Sequence, residues 1–155
     1  MEIKLIKANL ADAKKLWKMQ VEAFRELLEK YQDFDTNPSS EPLNRTIERI
    51  SMPETYYYFI VYNDNVAGAI RVVDKKDNIT PKRISPIWVM PEFRGNGIAQ
   101  LAIKSAEEIH GSENWELSTI KEEKGNCYLY EKMGYKLTDE AEVVNDRMTL
   151  VFYKK

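Results

Sequence analysis

The sequence predicts a single mixed α/β domain, one sheet flanked by helices, and three observations predict it. Segments that alternate with period two are interleaved with segments at helical spacing, in the order β-α-α-β-β-β-α-β-α-β-β. The chain has 155 residues, a length that suits one hydrophobic core. No linker, internal repeat or low-complexity stretch divides it.

Each element has its own local cause. Glu2 to Ile6 alternates polar and apolar residues and reads as a short strand. Asn9 is a plausible N-cap, and Asp12 three residues on completes a weak capping box. Leu10, Ala13, Trp17, Val21, Phe24, Leu28 and Tyr31 then recur on one helical face, which predicts one long amphipathic helix ending near Tyr31. Residues 32–42 carry acids, serines and two prolines and read as a loop, and Leu43 to Ile50 reads as a short second helix. Tyr56 to Tyr62 is aromatic and β-branched, Val66 to Val73 is a second strand, and Asn63-Asp64-Asn65 between them is hairpin chemistry. Arg83 to Met90 is a strand interrupted by Pro86, which has no N–H for a ladder. Ile98, Leu101, Ala102, Ser105 and Ile109 fall on one face of a helix that stops at Gly111. Trp115 to Ile120 is a strand, Asn126 to Met133 a short helix stopped by Gly134, and Tyr135 to Leu137 and Arg147 to Tyr153 the last strands.

Composition narrows the function. The net charge of −2 requires neither nucleic acid nor an anionic membrane as partner. One cysteine excludes an internal disulfide, and one histidine argues against a zinc site, so no metal is expected. The N-terminus lacks the apolar run of a signal peptide and nothing approaches a membrane span, so the default expectation is a cytoplasmic protein.

Arg94-Gly95-Asn96-Gly97-Ile98-Ala99 lies between the strand ending near Met90 and the helix starting at Ile98. A glycine-bearing turn at a helix N-terminus converges backbone N–H groups and adds partial positive charge, which makes it a natural phosphate site. Leu129-Tyr130-Glu131-Lys132-Met133-Gly134-Tyr135 follows about thirty residues later. Together they suggest a cofactor with a pyrophosphate and a reactive group that needs a proton donor.

These two segments resemble the GNAT superfamily of acyl-CoA-dependent N-acetyltransferases, over nearly the whole chain. Ile87 to Ala99 is similar to the family's fourth strand and its Gln/Arg-x-x-Gly-x-Gly/Ala loop, with Arg94, Gly97 and Ala99 at the defining positions. The resemblance implies a mostly antiparallel sheet with flanking helices and acetyl-CoA as co-substrate. Backbone N–H groups of Arg94, Gly95, Asn96, Gly97, Ile98 and Ala99 would hold the pyrophosphate. The strand Ile87, Trp88 and Val89 would hold the pantetheine arm, with an N–H near Val89 polarising the thioester carbonyl. Tyr130 matches the tyrosine that serves the leaving thiolate in many members. The family's pantetheine-binding asparagine is replaced here by Glu123, and Asn126, one turn further on, is the alternative contact.

The attacking amine must be neutral, and Glu116, Glu123, Glu54 or a water-mediated route are open as the base. For the acceptor, a small-molecule or protein amine, Asp33 and Asp35 in the first loop offer negative charge beside Tyr31 and Phe34. Arg71 would favour a carboxylate instead. His110 reads as a last-turn residue whose charge suits the helix dipole, and Cys127 as a small helix residue. The exposed sheet edge and the final hairpin offer surfaces for a homodimer. A non-catalytic acyl-CoA sensor is the alternative, and a dinucleotide-binding oxidoreductase a more distant one. The latter is opposed by Gln100 where a third small residue belongs and by Pro91-Glu92-Phe93 between strand and glycines.

Overall fold

The computed structural model describes residues 2–155. Strand β1 (Ile3–Lys7) leads through Asn9 into the first helical turn, and the capping box forms as expected. The Asn9 side chain accepts from the Ala11 N–H at 3.0 Å, and Asp12 Oδ2 accepts from the Asn9 N–H at 2.9 Å.

The single long helix expected over 10–31 is instead two. Helix α1 (Ala13–Ala23) ends at Phe24, whose backbone leaves the helical region at φ −100°, ψ 2°, and α2 (Arg25–Tyr31) continues from there. The buried stripe is also rotated from the expected one: Ala13, Leu16, Gln20 and Ala23 are buried, while Leu10 is 58% exposed. Gln20 belongs to that stripe because the following loop folds back over it. Its amide donates to the Pro38 carbonyl at 2.9 Å and to Glu41 Oε1 at 2.8 Å. Helix α3 (Leu43–Ile50) has the expected bounds.

Strands β2 (Thr55–Tyr62) and β3 (Asn65–Val73) form the expected hairpin, and its turn places Asn63 and Asp64 at φ 49° and 66°, as a tight primed turn requires. Strand β4 (Lys82–Val89) pairs antiparallel with β3 and carries a bulge opposite Arg71, where Ser85 and Pro86 have no partners in register. Helix α4 (Ile98–His110) buries Ile98, Ala102, Ile103 and Ala106, whereas Ile109, placed on the core face from its spacing, is 55% exposed. Strand β5 (Trp115–Ile120), helix α5 (Lys124–Lys132) and strands β6 (Lys136–Asn145) and β7 (Met148–Lys154) complete the chain. Strand β6 extends far beyond the expected Tyr135 to Leu137. Its middle, Thr138 to Glu142, is mostly exposed and charged and shows no hydrophobic period; its pairing with β7 makes it a strand.

The seven strands form one sheet in the order β1-β2-β3-β4-β5-β7-β6, antiparallel except for β4 and β5. One face packs on α4 and α5 around Ile60, Ile70, Val72, Ile103 and Trp115. The other packs on α1 around Leu16, Tyr57, Ala69 and Trp88. The parallel pair is the weak seam of this sheet. It holds only at Lys82 opposite Trp115 and Arg83 opposite Glu116, and beyond that the two strands part.

Candidate active site in the gap between two strands

The parting of β4 and β5 creates a V-shaped gap, and a cavity of about 440 Å³ fills it. Ile87, Trp88 and Val89 line one wall, Asn126, Leu129 and Tyr130 the other. Arg94, Gly95, Gly97, Ile98 and Ala99 close one end, beside Phe24 and Leu27. Most of the residues that the sequence nominated are therefore brought together; Asn96 turns its amide onto the Phe93 carbonyl at 2.9 Å and does not line the cavity.

The loop's glycines are where their conformation demands them, at φ 84° for Gly95 and 70° for Gly97. A Cβ on either would meet no protein atom within 4 Å. The space that glycine keeps clear thus lies outside the protein, where a bound group approaches, and a pyrophosphate suits that cradle. The Arg94 side chain does not reach for that space. Its Nε donates to the Val89 carbonyl at 2.9 Å and an Nη to the Ala23 carbonyl at 3.0 Å, so it ties the loop to the end of β4 and to α1.

Val89 presents its backbone to the gap. The Met90 N–H donates to the Ala67 carbonyl across the β3 edge at 2.7 Å. Neighbouring amides in a strand alternate between edges, so the Val89 N–H points away from β3, into the cavity. Gly68, opposite Val89 in register, makes this possible. A Cβ there would lie 2.0 Å from the Trp88 carbonyl oxygen, so only glycine allows the two strands their approach. Sequence reasoning passed over Gly68, although a glycine inside a strand is a sign of close backbone approach.

Tyr130 faces Val89 across the gap. Its ring is buried between Tyr135 and Tyr153, at centroid distances of 6.1 and 6.2 Å. Burial, with a smaller contribution from Cys127, pushes its hydroxyl up to about 12. It is therefore a fully protonated donor at neutral pH, and no protein group among the described residues takes that hydrogen bond.

Glu123 also lines the cavity and is tied from across the gap: Lys30 Nζ donates to its Oε2 at 2.7 Å, and the Tyr31 hydroxyl bonds the same oxygen. Burial alone raises this carboxyl, but the hydrogen bonds from Lys30 and Tyr31 outweigh it and hold it below its ordinary value. This tie between α2 and the N-cap of α5 was not anticipated, since its partners lie 92 and 93 residues away.

The other nominated residues are more scattered. Arg71 is 9% exposed, on the α1 face of β3 beside Tyr57, with its Nε on the Ser85 carbonyl close to where the strands part. Burial, then the nearby Arg49 guanidinium, pushes it down to about 10. Asp33 is buried and accepts from the Asn37 amide at 3.1 Å within its own loop, and Asp35 is exposed; neither of them, nor Arg71, lines the cavity. Glu116 pairs with Arg83 at 3.1 Å, and Glu54 sits just before β2 with its carbonyl on the Asp74 N–H.

With this geometry in view, comparison with known proteins is decisive. The family model described as "Acetyltransferase (GNAT) domain" matches residues 13–155. The chain belongs to the GNAT acetyltransferase family. No curated protein matches the sequence significantly. Among solved structures, the spermidine N-acetyltransferase of Vibrio cholerae in complex with CoA and spermine superposes with a TM-score of 0.75 at 16% identity, covering 97% of this chain and 93% of that one. The microcin C7 self-immunity acetyltransferase MccE, in complex with acetyl-CoA and AMP, gives 0.73 at 18% identity, covering 99% and 92%. The PaiA N-acetyltransferase of Thermoplasma acidophilum, in complex with coenzyme A, gives 0.68 at 16% identity, with full coverage of both chains. At these identities the likeness is one of fold. Family membership and a mostly antiparallel sheet remove the oxidoreductase alternative, whose nucleotide fold needs parallel strands. Among the described residues no helix is long and apolar enough to cross a membrane, and no group of metal-ligating side chains is present.

Proposed function

We propose that this family member is an N-acetyltransferase that moves the acetyl group of acetyl-CoA to a primary amine by direct attack, without a covalent enzyme intermediate. The observation that carries the reading is one cavity with an inward-pointing Val89 N–H on one wall and the unpartnered Tyr130 hydroxyl on the other. Acetyl-CoA supplies an activated acyl group. The chain's own part is to hold and polarise it. The loop from Arg94 to Ala99 holds the pyrophosphate on backbone N–H groups. Ile87, Trp88 and Val89 hold the pantetheine arm, with Asn126 opposite, and the Val89 N–H stabilises negative charge developing on the acyl oxygen. As the amine's C–N bond forms and the C–S bond breaks, the Tyr130 hydroxyl hydrogen-bonds the sulfur departing as thiolate, and the proton that the amine nitrogen loses passes to solvent and thence to the thiolate. The open space at both loop glycines and the acetyl-CoA and CoA complexes among the structural neighbours support this assignment.

The acceptor is a small amine, a reading supported by neighbours crystallised with spermine or assigned to spermidine. Asp33 and Asp35 give its entry loop negative character. Arg71 supplies a subsite for a carboxylate on the acceptor, because only its Nε is engaged by the protein and no carboxylate partners its buried guanidinium. The test is thiol release from acetyl-CoA with pooled primary amines, split into amino acids and polyamines. Release that depends on an amino-acid pool supports the whole reading. Release with polyamines alone removes the Arg71 subsite, and acetyl-CoA binding without amine-dependent release in any pool overturns the catalytic assignment.

A further inference from the structure

A second cavity, of about 620 Å³, lies at the other end of the molecule. It opens between the C-terminal end of α4, the starts of β2 and β4, and residues 74–81. Helix α4 separates it from the glycine loop by its whole length, about 20 Å for thirteen residues. Nothing in the proposed transfer reaction uses it.

Its floor is a buried polar chain. His110 Nδ1 bonds Asp74 Oδ2 at 2.8 Å, and His110 Nε2 bonds the Tyr58 hydroxyl at 2.8 Å. The imidazole stacks on Tyr56 at 4.9 Å, and its side chain is only 3% exposed. Burial, opposed by Asp74, lowers the imidazole below its ordinary value, so at neutral pH it is uncharged, donating from Nδ1 and accepting the Tyr58 hydrogen at Nε2.

The walls are cationic. Lys7 and Lys76 stand over the Tyr56 ring at 5.1 and 4.9 Å, and Lys82 over the Trp115 ring at 5.3 Å. Among the described residues none of the three is paired with a carboxylate. Of the two carboxylates lining the cavity, Asp74 accepts from the neutral His110 and from the Lys76 backbone N–H and so keeps its charge in the floor, and Glu113 is the other, so three ammonium groups face two carboxylates. Three lysines against two carboxylates leave the lining with one excess positive charge in a chain whose net charge is −2, and the three ammonium groups stand at the walls while Asp74 lies in the floor.

We propose that this cavity binds a small polyanion bearing phosphate or carboxylate groups, held by Lys7, Lys76 and Lys82 over the Asp74–His110–Tyr58 floor. The size is right for a small metabolite, and ammonium groups on flexible stems suit oxygen anions of either kind.

The chain has a single histidine, so its imidazole resonances in an NMR spectrum report this cavity and no other site. Inorganic pyrophosphate and citrate are titrated in parallel into protein saturated with coenzyme A, with sodium chloride matched for ionic strength. A saturable shift of the His110 signals with pyrophosphate alone, with citrate alone, or with both is expected and tells the phosphate from the carboxylate form. It should weaken at least tenfold in the Lys7→Gln/Lys76→Gln variant, whose changes are at the surface. An anion in place should also raise the pH at which His110 titrates, against the lowering by burial, Lys76 and Lys82 and with the raising by Asp74. A linear drift equal to that of sodium chloride overturns the site, as does a saturable shift unchanged in the variant. Coenzyme A binding is measured separately, so failure of this site and failure of the transferase reading are told apart.

Discussion

Replacing Tyr130 by phenylalanine separates its chemistry from its packing. The ring lies against Tyr135 and Tyr153, and phenylalanine keeps those contacts. The hydroxyl has no protein partner, so its removal leaves no orphaned donor or acceptor behind, and stability should stay within about 0.5 kcal/mol of the parent. The kinetic effect follows from two acidities. The hydroxyl sits at about 12, whereas a free thiol lies near ~8.5. Complete proton transfer from the tyrosine to the thiolate is therefore uphill by about 5 kcal/mol. Tyr130 then acts as a hydrogen-bond donor to the developing thiolate and not as a full proton source. A hydrogen bond to a charged group contributes about 1.5–3 kcal/mol, so turnover should fall by roughly 10- to 150-fold. The assay is thiol release with the best amine from the pooled screen, alongside acetyl-CoA affinity and a thermal melt. A fall in kcat with affinity within a few-fold and an unchanged melt supports the reasoning. Unchanged turnover reduces Tyr130 to packing, and a loss that appears only in affinity makes it a binding residue.

Gly97→Val puts a β-branched residue at φ 70°, which costs about 1–2 kcal/mol of backbone strain and fills the cradle without touching protein. The melt should drop by a few degrees while acetyl-CoA affinity, measured by calorimetry, is lost; near-parental affinity would sink the loop assignment. Gly68→Ala forces a Cβ to 2.0 Å from the Trp88 carbonyl, so the strands must separate, costing about 1–3 kcal/mol and displacing Val89. Both the melting temperature and kcat should fall, and a stable, fully active variant would show that Val89 is not held by that contact. Because Lys30 and Tyr31 hold Glu123 below its ordinary value, it is a poor base for an alkylamine, and kcat/KM should rise steadily from about pH 6 to about pH 9 as free amine accumulates. A plateau near neutrality that disappears in Glu123→Gln would instead make Glu123 the base. His110 is held neutral below its ordinary value, so the unfolded chain takes up a proton first as the pH falls below about 6.5. This residue's stabilisation is complete above that pH and lost through the window beneath it, and the melting temperature of His110→Gln should be the less acid-sensitive of the two proteins.

What the sequence disclosed depended on how local the cause was. Asn63 and Asp64 declare their turn because residues that tolerate positive φ stand side by side, and the Asn9–Asp12 box spans three residues. The glycine loop is legible for the same reason, since its conformation lies within six residues. The buried place of Gln20 on α1 is not legible, because it depends on residues 38 and 41 folding over it. Strand β6 hides because charged residues face solvent on both sides of a chain segment that β7 alone makes a strand. His110 read as a residue serving its own helix dipole, yet its partners Asp74 and Tyr58 lie 36 and 52 residues away. Arg94 was nominated for its backbone and lines the cavity, while its side chain fastens the loop to β4.

The mouth of the active-site gap is spanned by side chains and not by continuous sheet, and that has consequences for how an acceptor enters. Lys30 and Tyr31 at the end of α2 reach Glu123, the N-cap residue of α5. The tip of the last hairpin joins them through the Asn145 amide on the Tyr31 carbonyl at 2.9 Å and Arg147 on the Lys30 carbonyl at 3.4 Å. The end of α2 and the last hairpin are therefore in contact with each other. Within this tie the Lys30 pair is the weak member, because its side chain is 59% exposed and solvent screens the charge, while the Tyr31 and Asn145 hydrogen bonds are part-buried. In the proposed reaction a strap of this kind would keep water from the thioester, and the exposed Lys30 contact is the one an incoming amine would displace. The amine itself carries the charge that Lys30 supplies to Glu123 at rest. In the proposed reaction an ammonium group entering the mouth would replace Lys30 on that carboxylate before losing its proton, so the contact that spans the mouth would also select for a cation.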